Sequence, residues 1–126
     1  MLTEVNDINK AKENEIFEAK CCSAGCCVEK TLNVIGGKWG FLILKHLFSG
    51  KKRFGELRKL LHDINAKSLT NALRSLEEHN LINRKVFPTV PATVEYSLTK
   101  KGEGLKQIIM EMYLWGEKWV EDAPKL

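Results

Sequence analysis

Lys67, Ser68, Thr70, Asn71 and Arg74 bring together the side chains that bond to base edges and phosphates. Asn and Arg each present a pair of groups able to grip one base edge, while Lys, Ser and Thr reach phosphate oxygens. On a helix, Lys67, Asn71, Arg74 and Glu78 fall on one side, and Leu69, Ala72, Leu73 and Leu76 fall on the other. A helix buried along its leucines and bare along that polar stripe has the form that enters a DNA major groove. A solvated helix face can look the same, so the DNA reading depends on the elements around it.

The second cluster with chemical potential is Cys21, Cys22, Cys26 and Cys27, all within CCSAGCC. Structural zinc sites usually pair ligands two to four residues apart, with a second pair well down the chain; here only three residues separate the doublets. A dithiol oxidoreductase needs C-x-x-C at a helix start in a βαβ setting, which is absent. Inert reduced thiols in a linker and a reactive sensor thiol both remain open. A sulfur just ahead of the helix beginning near Val28 faces free N–H groups and the positive end of the helix dipole, a setting for nucleophilic sulfur. On that ground Cys26 leads, Cys27 follows, and Cys22 is a resolving partner. No Gly-rich phosphate loop, paired carboxylates or nucleophile–base arrangement occurs, and His46, His62 and His79 are dispersed. Neither an enzyme, a metal nor a cofactor is expected. His46, on an apolar helix, reads as a satisfied core residue.

The stripe needs a frame. Phe54, Leu57 and Leu61 recur at helical spacing, His62-Asp63-Ile64 forms a turn, and Asn65 is an N-cap for the next helix, its side-chain oxygen accepting from free backbone N–H groups. Upstream, Val28, Leu32 and Ile35 form a helix face stopped by Gly36-Gly37, and Trp39 to Leu47 is apolar nearly all round, as a central core helix would be. After Asn80 the period changes. Leu81 to Phe87 and Thr93 to Leu98 read as two strands joined by a proline-stiffened tip, a hairpin placed as a wing directly after the candidate recognition helix. Arg53 precedes the helix pair; Arg84 and Lys85 at the hairpin's base, with Lys100 and Lys101 just beyond, bring positive charge to a phosphate backbone. From Gly104 to Asp122 a long helix carries Leu105, Ile108, Met112, Trp115 and Trp119 at spacings of three and four. Part of that seam is expected to pack on the chain's own core. Ile109, Tyr113 and Val120 widen it beyond what one small domain needs, and a two-fold dimer would bury the surplus.

Length and charge agree with this frame. The 126 residues suit one domain with terminal extensions, and 20 basic against 16 acidic residues is a mild excess unevenly spread. Eight Lys or Arg between Lys45 and Arg74 face only Glu56 and Asp63, whereas Glu4, Asp7, Glu13, Glu15 and Glu18 load the N-terminal arm. No apolar run is long enough to span a bilayer and no secretory signal pattern opens the chain, so a soluble, cytoplasmic protein is expected.

VEKTLNVIGGKW (Val28 to Trp39), RFGELRKLL (Arg53 to Leu61), LTNALRSLEEHNLI (Leu69 to Ile82), VFPTVPATVEYSLTKKG (Val86 to Gly102) and MYLWGEKW (Met112 to Trp119) carry a resemblance. The chain resembles the winged helix-turn-helix transcriptional regulators of the HxlR type, relatives of the MarR regulators. The resemblance implies a homodimer on operator DNA, joined through its terminal helices with help from the N-terminal segment. It also implies one cysteine before the first core helix, in a C-P-V-E setting. Here Cys26-Cys27-Val28-Glu29 stands there, so Cys26 takes the family position and Cys27 replaces the proline. In some members that thiol senses quinones, aldehydes or oxidants. The extra Cys21, Cys22 and Cys27 leave the identity of the reactive sulfur open.

The expected fold is therefore α+β, mostly α: a winged helix-turn-helix with a two-stranded wing and terminal dimerisation helices. Residues 1–27 form an N-terminal arm or loose helix, with Ile8, Ile16 and Phe17 as its apolar residues, and a cysteine-rich linker; 28–102 form the DNA-binding domain and 103–126 the dimerisation helix. The expected function is sequence-specific transcriptional regulation by a homodimer on a palindromic operator, responsive to a small electrophile or oxidant. A non-catalytic protein-interaction or architectural module is the alternative. The partners expected are double-stranded DNA and a second copy of the chain, with no membrane.

Overall fold

The computed structural model describes residues 11–13 and 26–121; Cys21, Cys22 and the expected N-terminal helix around Ile8, Ile16 and Phe17 lie outside these, as does Asp122. The chain divides into two compact units, Met1–Val34 and Ile35–Leu126. In the first, residues 11–13 are helical, and Cys27 opens helix α1 (Cys27–Ile35). Cys26 stands just ahead of it and its carbonyl accepts the first helical bond, from the Lys30 N–H at 2.9 Å. Val28 and Leu32 are exposed, although their spacing suggested a buried face.

The second unit begins with Ile35, the last residue of α1, followed by Gly36 and Gly37, whose φ angles of 79° and 96° lie where side chains with a Cβ are strained. Helix α2 (Lys38–Leu47) then supplies Gly40, Ile43, Leu44 and Leu47 to the core. Strand β1 (Lys52–Arg53) leads directly into helix α3 (Phe54–Leu60), where the Arg53 N–H donates to Glu56 Oε1 at 2.9 Å. The turn closes with the Ile64 N–H donating to the Leu61 carbonyl at 2.9 Å. Asn65 then caps helix α4 (Ala66–Glu78), its Oδ1 accepting from the Ser68 N–H at 2.8 Å, as the sequence suggests. Leu69, Leu73 and Leu76 are fully buried, each contributing about 1.5–3 kcal/mol relative to exposure. They fix which face of α4 looks outward.

Strands β2 (Ile82–Phe87) and β3 (Thr93–Leu98) form the expected antiparallel wing, with Arg84 opposite Tyr96 and Lys85 opposite Glu95. To this the structure adds β1 on the other side of β3, in the order β1-β3-β2, pairing Lys52 with Tyr96 and Arg53 with Glu95. Two residues are too few to show a period, so β1 leaves no trace in the sequence pattern.

The C-terminal segment differs from expectation in two respects. The Thr99 hydroxyl accepts from the Gly102 N–H at 3.0 Å and starts a short helix, α5 (Lys100–Glu103); helix α6 (Lys106–Trp119) follows after Gly104 and Leu105. Moreover, no residue of α6 is fully buried: Leu105 and Ile109 are half-buried at its root, where the helix meets α2, and Ile108, Met112, Trp115 and Trp119 stay exposed. The core already closes on Ile35, α2, α3, α4, Leu81, Ile82 and Tyr96 without it.

Candidate nucleic-acid interface

Burial of its leucines turns the other side of α4 to solvent. Lys67, Thr70, Asn71 and Arg74 are exposed along it, and Ser68 is half-buried at its start. The Thr70 hydroxyl donates to the Ala66 carbonyl at 2.8 Å, so its proton is already committed and a partner meets its lone pairs and methyl group. The C-terminal end of α4 is closed by Asn80 in the left-handed conformation, with φ of 60°. The Asn80 N–H donates to the Glu77 carbonyl and the Leu81 N–H to the Leu76 carbonyl, both at 2.9 Å, with Leu76 and Leu81 buried.

The structure brings Arg84 of the wing to this helix. Thr70, Leu73, Arg74, Glu77, Arg84 and Tyr96 line one cleft of about 310 Å³. Lys85 is not part of it: adjacent strand residues point to opposite faces, and its ammonium lies 5.0 Å from the centroid of the Phe87 ring. Opposite Lys85 in register, Glu95 has a carboxylate oxygen 3.7 Å from Lys51 Nζ. The neighbours Arg84 and Lys85, grouped together by the sequence, therefore stand in different surroundings. Arg53 lines a second groove, of about 530 Å³, with Phe54, Glu56, Lys59 and the wing residues Ala92, Thr93 and Val94. Lys100 is exposed at the first residue of α5, whereas Lys101 Nζ donates to the His79 carbonyl at 2.9 Å. Lys101 is thus turned to the end of α4, a role that its position beside Lys100 conceals.

On α6 the expected seam stands open, with Ile108, Met112, Trp115 and Trp119 exposed and Leu105 half-buried. Gln107, Ile108, Glu111, Met112 and Trp115 line a shallow groove of about 530 Å³. Trp115 and Trp119 keep 63% and 64% of their surface in solvent, far more than a large apolar ring normally leaves exposed in a chain that stays single.

Of the sensor candidates, Cys26 is buried and Cys27, the first residue of α1, is exposed; Cys22 lies outside the described residues. His46 is half-buried rather than a fully enclosed core residue, and burial, then Lys45 and Lys52, push its pKa below the usual value. Among the described residues, no helix is long and apolar enough to cross a membrane.

Residues 34–124 match the family described as HxlR-like helix-turn-helix. The chain is 50% identical over 102 residues to the uncharacterized HTH-type transcriptional regulator YdeP of Bacillus subtilis (strain 168), a stretch covering 81% of this chain and 80% of that protein. Among solved structures, the redox regulator HypR in its oxidized form superposes with a TM-score of 0.72 at 45% identity, over 76% of this chain and 99% of that one. The reduced form of the transcriptional regulator YodB from B. subtilis gives a TM-score of 0.65 at 33% identity, over 76% of this chain and 94% of that one. YdeP and YodB are named as transcriptional regulators and HypR as a redox regulator. Fold, matched residues and relatives agree: the chain belongs to the HxlR-like helix-turn-helix family of transcriptional regulators.

Proposed function

We propose that the protein is a sequence-specific regulator that binds a palindromic operator as a homodimer, with α4 as the recognition helix. The observation that carries this reading is the exposed stripe of Lys67, Thr70, Asn71 and Arg74, held outward by the fully buried Leu69, Leu73 and Leu76. In this arrangement Asn71 and Arg74 read base edges, because each presents two groups in a plane that matches one base. Lys67, Ser68, Arg53, Arg84, Lys85 and Lys100 supply contacts to the backbone, which set affinity and register but carry little sequence information. The exposed seam of Leu105, Ile108, Met112, Trp115 and Trp119 pairs with its copy and holds two recognition helices at a fixed separation. The domain plan follows: residues 1–27 as arm and linker, 28–102 for DNA, 103–126 for pairing.

The two cysteines at the start of α1 support a finer proposal, that thiol modification alters operator affinity. Cys26 is the main candidate because its burial ties any added group to a rearrangement of the helix start, with Cys27 the exposed first target and Cys22 the partner for a disulfide. The relatives HypR and YodB, one named a redox regulator and the other solved both reduced and after diamide treatment, lend weight to this reading.

Selection of bound duplexes from a random pool tests the main proposal. Enrichment of an inverted repeat, its half-sites about 10 base pairs apart or a multiple of this, is the expected result. Binding with no enriched sequence would instead favour an architectural module, and no binding at all a protein-interaction module.

A further inference from the structure

Three consecutive carbonyls just past the last residue of α4 all receive donors from Thr99 and Lys101 at the start of α5. Lys101 Nζ donates to the His79 carbonyl at 2.9 Å, Thr99 Oγ1 to the Asn80 carbonyl at 2.6 Å, and the Thr99 N–H to the Leu81 carbonyl at 3.1 Å. The His79 carbonyl, at the C-cap of α4, is one that a helix end leaves without a helical partner, and a cation there also meets the negative end of the helix dipole. Gly102 completes the contact, because a Cβ on it would stand 2.1 Å from the Leu81 oxygen. From there backbone bonds run on without interruption: the Leu105 N–H donates to the Gly102 carbonyl at 3.1 Å, and the Ile109 N–H to the Leu105 carbonyl at 3.0 Å, inside α6.

We propose that Thr99 and Lys101 form a latch fastening the C-terminal end of α4 to the root of α6, which makes Lys101 a positioning residue for operator reading rather than a phosphate contact. The proposal rests on α4 being the recognition helix. A dimer built on α6 sets the position of each α6 relative to its copy, and the latch passes that position to α4 across a few bonded residues. Without Lys101, the last turn of α4 loses a charged donor and its angle to α6 is less sharply defined. Base contacts need a narrow geometry and suffer; contacts to phosphates from long side chains tolerate the change. Lys100, its neighbour, is exposed at the head of α5 and stands outside the latch.

The two adjacent lysines provide the test. Lys101→Met, Lys101→Arg and Lys100→Met are compared with the wild-type chain on the duplex that the wild type selects and on a scrambled duplex, over a salt series. Loss of a charge-assisted bond predicts that Lys101→Met weakens binding to the selected duplex about tenfold. Binding to the scrambled duplex and the salt slope should stay as in the wild type, and Lys101→Arg should restore most of the loss. Lys100→Met should weaken both duplexes alike and lower the slope by about one. Amide exchange at Asn80 and Leu81, measured without DNA, should accelerate in Lys101→Met. A slope lowered by about one in Lys101→Met, unchanged exchange, or faster exchange with undiminished discrimination each overturns the latch. A wild-type chain that selects no duplex overturns the recognition-helix reading itself, a failure seen before any variant is made.

Discussion

Arg74 on α4 and Arg84 on β2 line the same cleft, where Glu77 is the one acidic side chain of the lining. The hairpin folds back on the helix it follows, so a base-reading candidate and a wing cation come to one place. Arg74 and its helix neighbour Asn71 should nevertheless behave differently from Lys67. Arg74→Ala or Asn71→Ala should cost ~1–3 kcal/mol on the selected operator and little on a scrambled one, whereas Lys67→Ala should weaken both and reduce the salt slope by about one unit. Fluorescence anisotropy titrations over a range of salt decide between them. Equal losses for all three on every duplex would remove α4 from the role of reader.

The exposed α6 predicts concentration-dependent assembly. Large aromatic side chains in an interface commonly cost ~2 kcal/mol or more when truncated, so Trp115→Ala should sediment partly as monomer at concentrations where the wild type is dimeric, and should bind DNA weakly. Analytical ultracentrifugation reads the first effect and band shift the second. A wild-type chain that remains monomeric at micromolar concentration excludes the seam as an interface.

For the cysteines, exposure and proposed function point to different residues. Cys27 is exposed and Cys26 buried, so a maleimide should label Cys27 before Cys26 in the folded protein, as mass spectrometry of the peptides would report. Diamide takes up two electrons and two protons as two thiols join, and should lower or raise operator affinity in the wild type but not in Cys26→Ser. Unmoved affinity in wild-type protein whose thiols are fully oxidised would mean that the cysteines are bystanders.

His46 should leave a mark on the pH dependence of stability. Burial first, then Lys45 and Lys52, hold its folded pKa below the usual 6.5, so the folded chain favours the neutral ring and the unfolded chain binds the proton more readily. The contribution is thus present above pH 6.5 and is lost as pH falls from there through the folded value. His46→Gln removes the titrating group, so the wild type should lose urea resistance more steeply than the variant just below that pH. Parallel curves would rule out a part for His46.

Periodicity and punctuation in the sequence determined the helix pair, the Asn65 cap, the buried leucines of α4, the Gly36-Gly37 stop and the wing hairpin. Each is a local property: the spacing of apolar residues says which face an element buries, and a cap is settled by bonds three or four residues apart. The apolar seam of α6 was legible in the same way, but not how little of it the core would take up, because how much apolar surface a core absorbs depends on every element that closes it. Only the tertiary structure set β1 beside β3, brought Arg84 to α4, and turned Lys101 away from its neighbour. The bonds from Thr99 to Asn80 and from Lys101 to His79 join residues 19 and 22 apart, and these meet only once the hairpin between them has folded back. No sequence window on either side of the hairpin contains both partners, so the same two lysines read alike in the chain and differ in the fold.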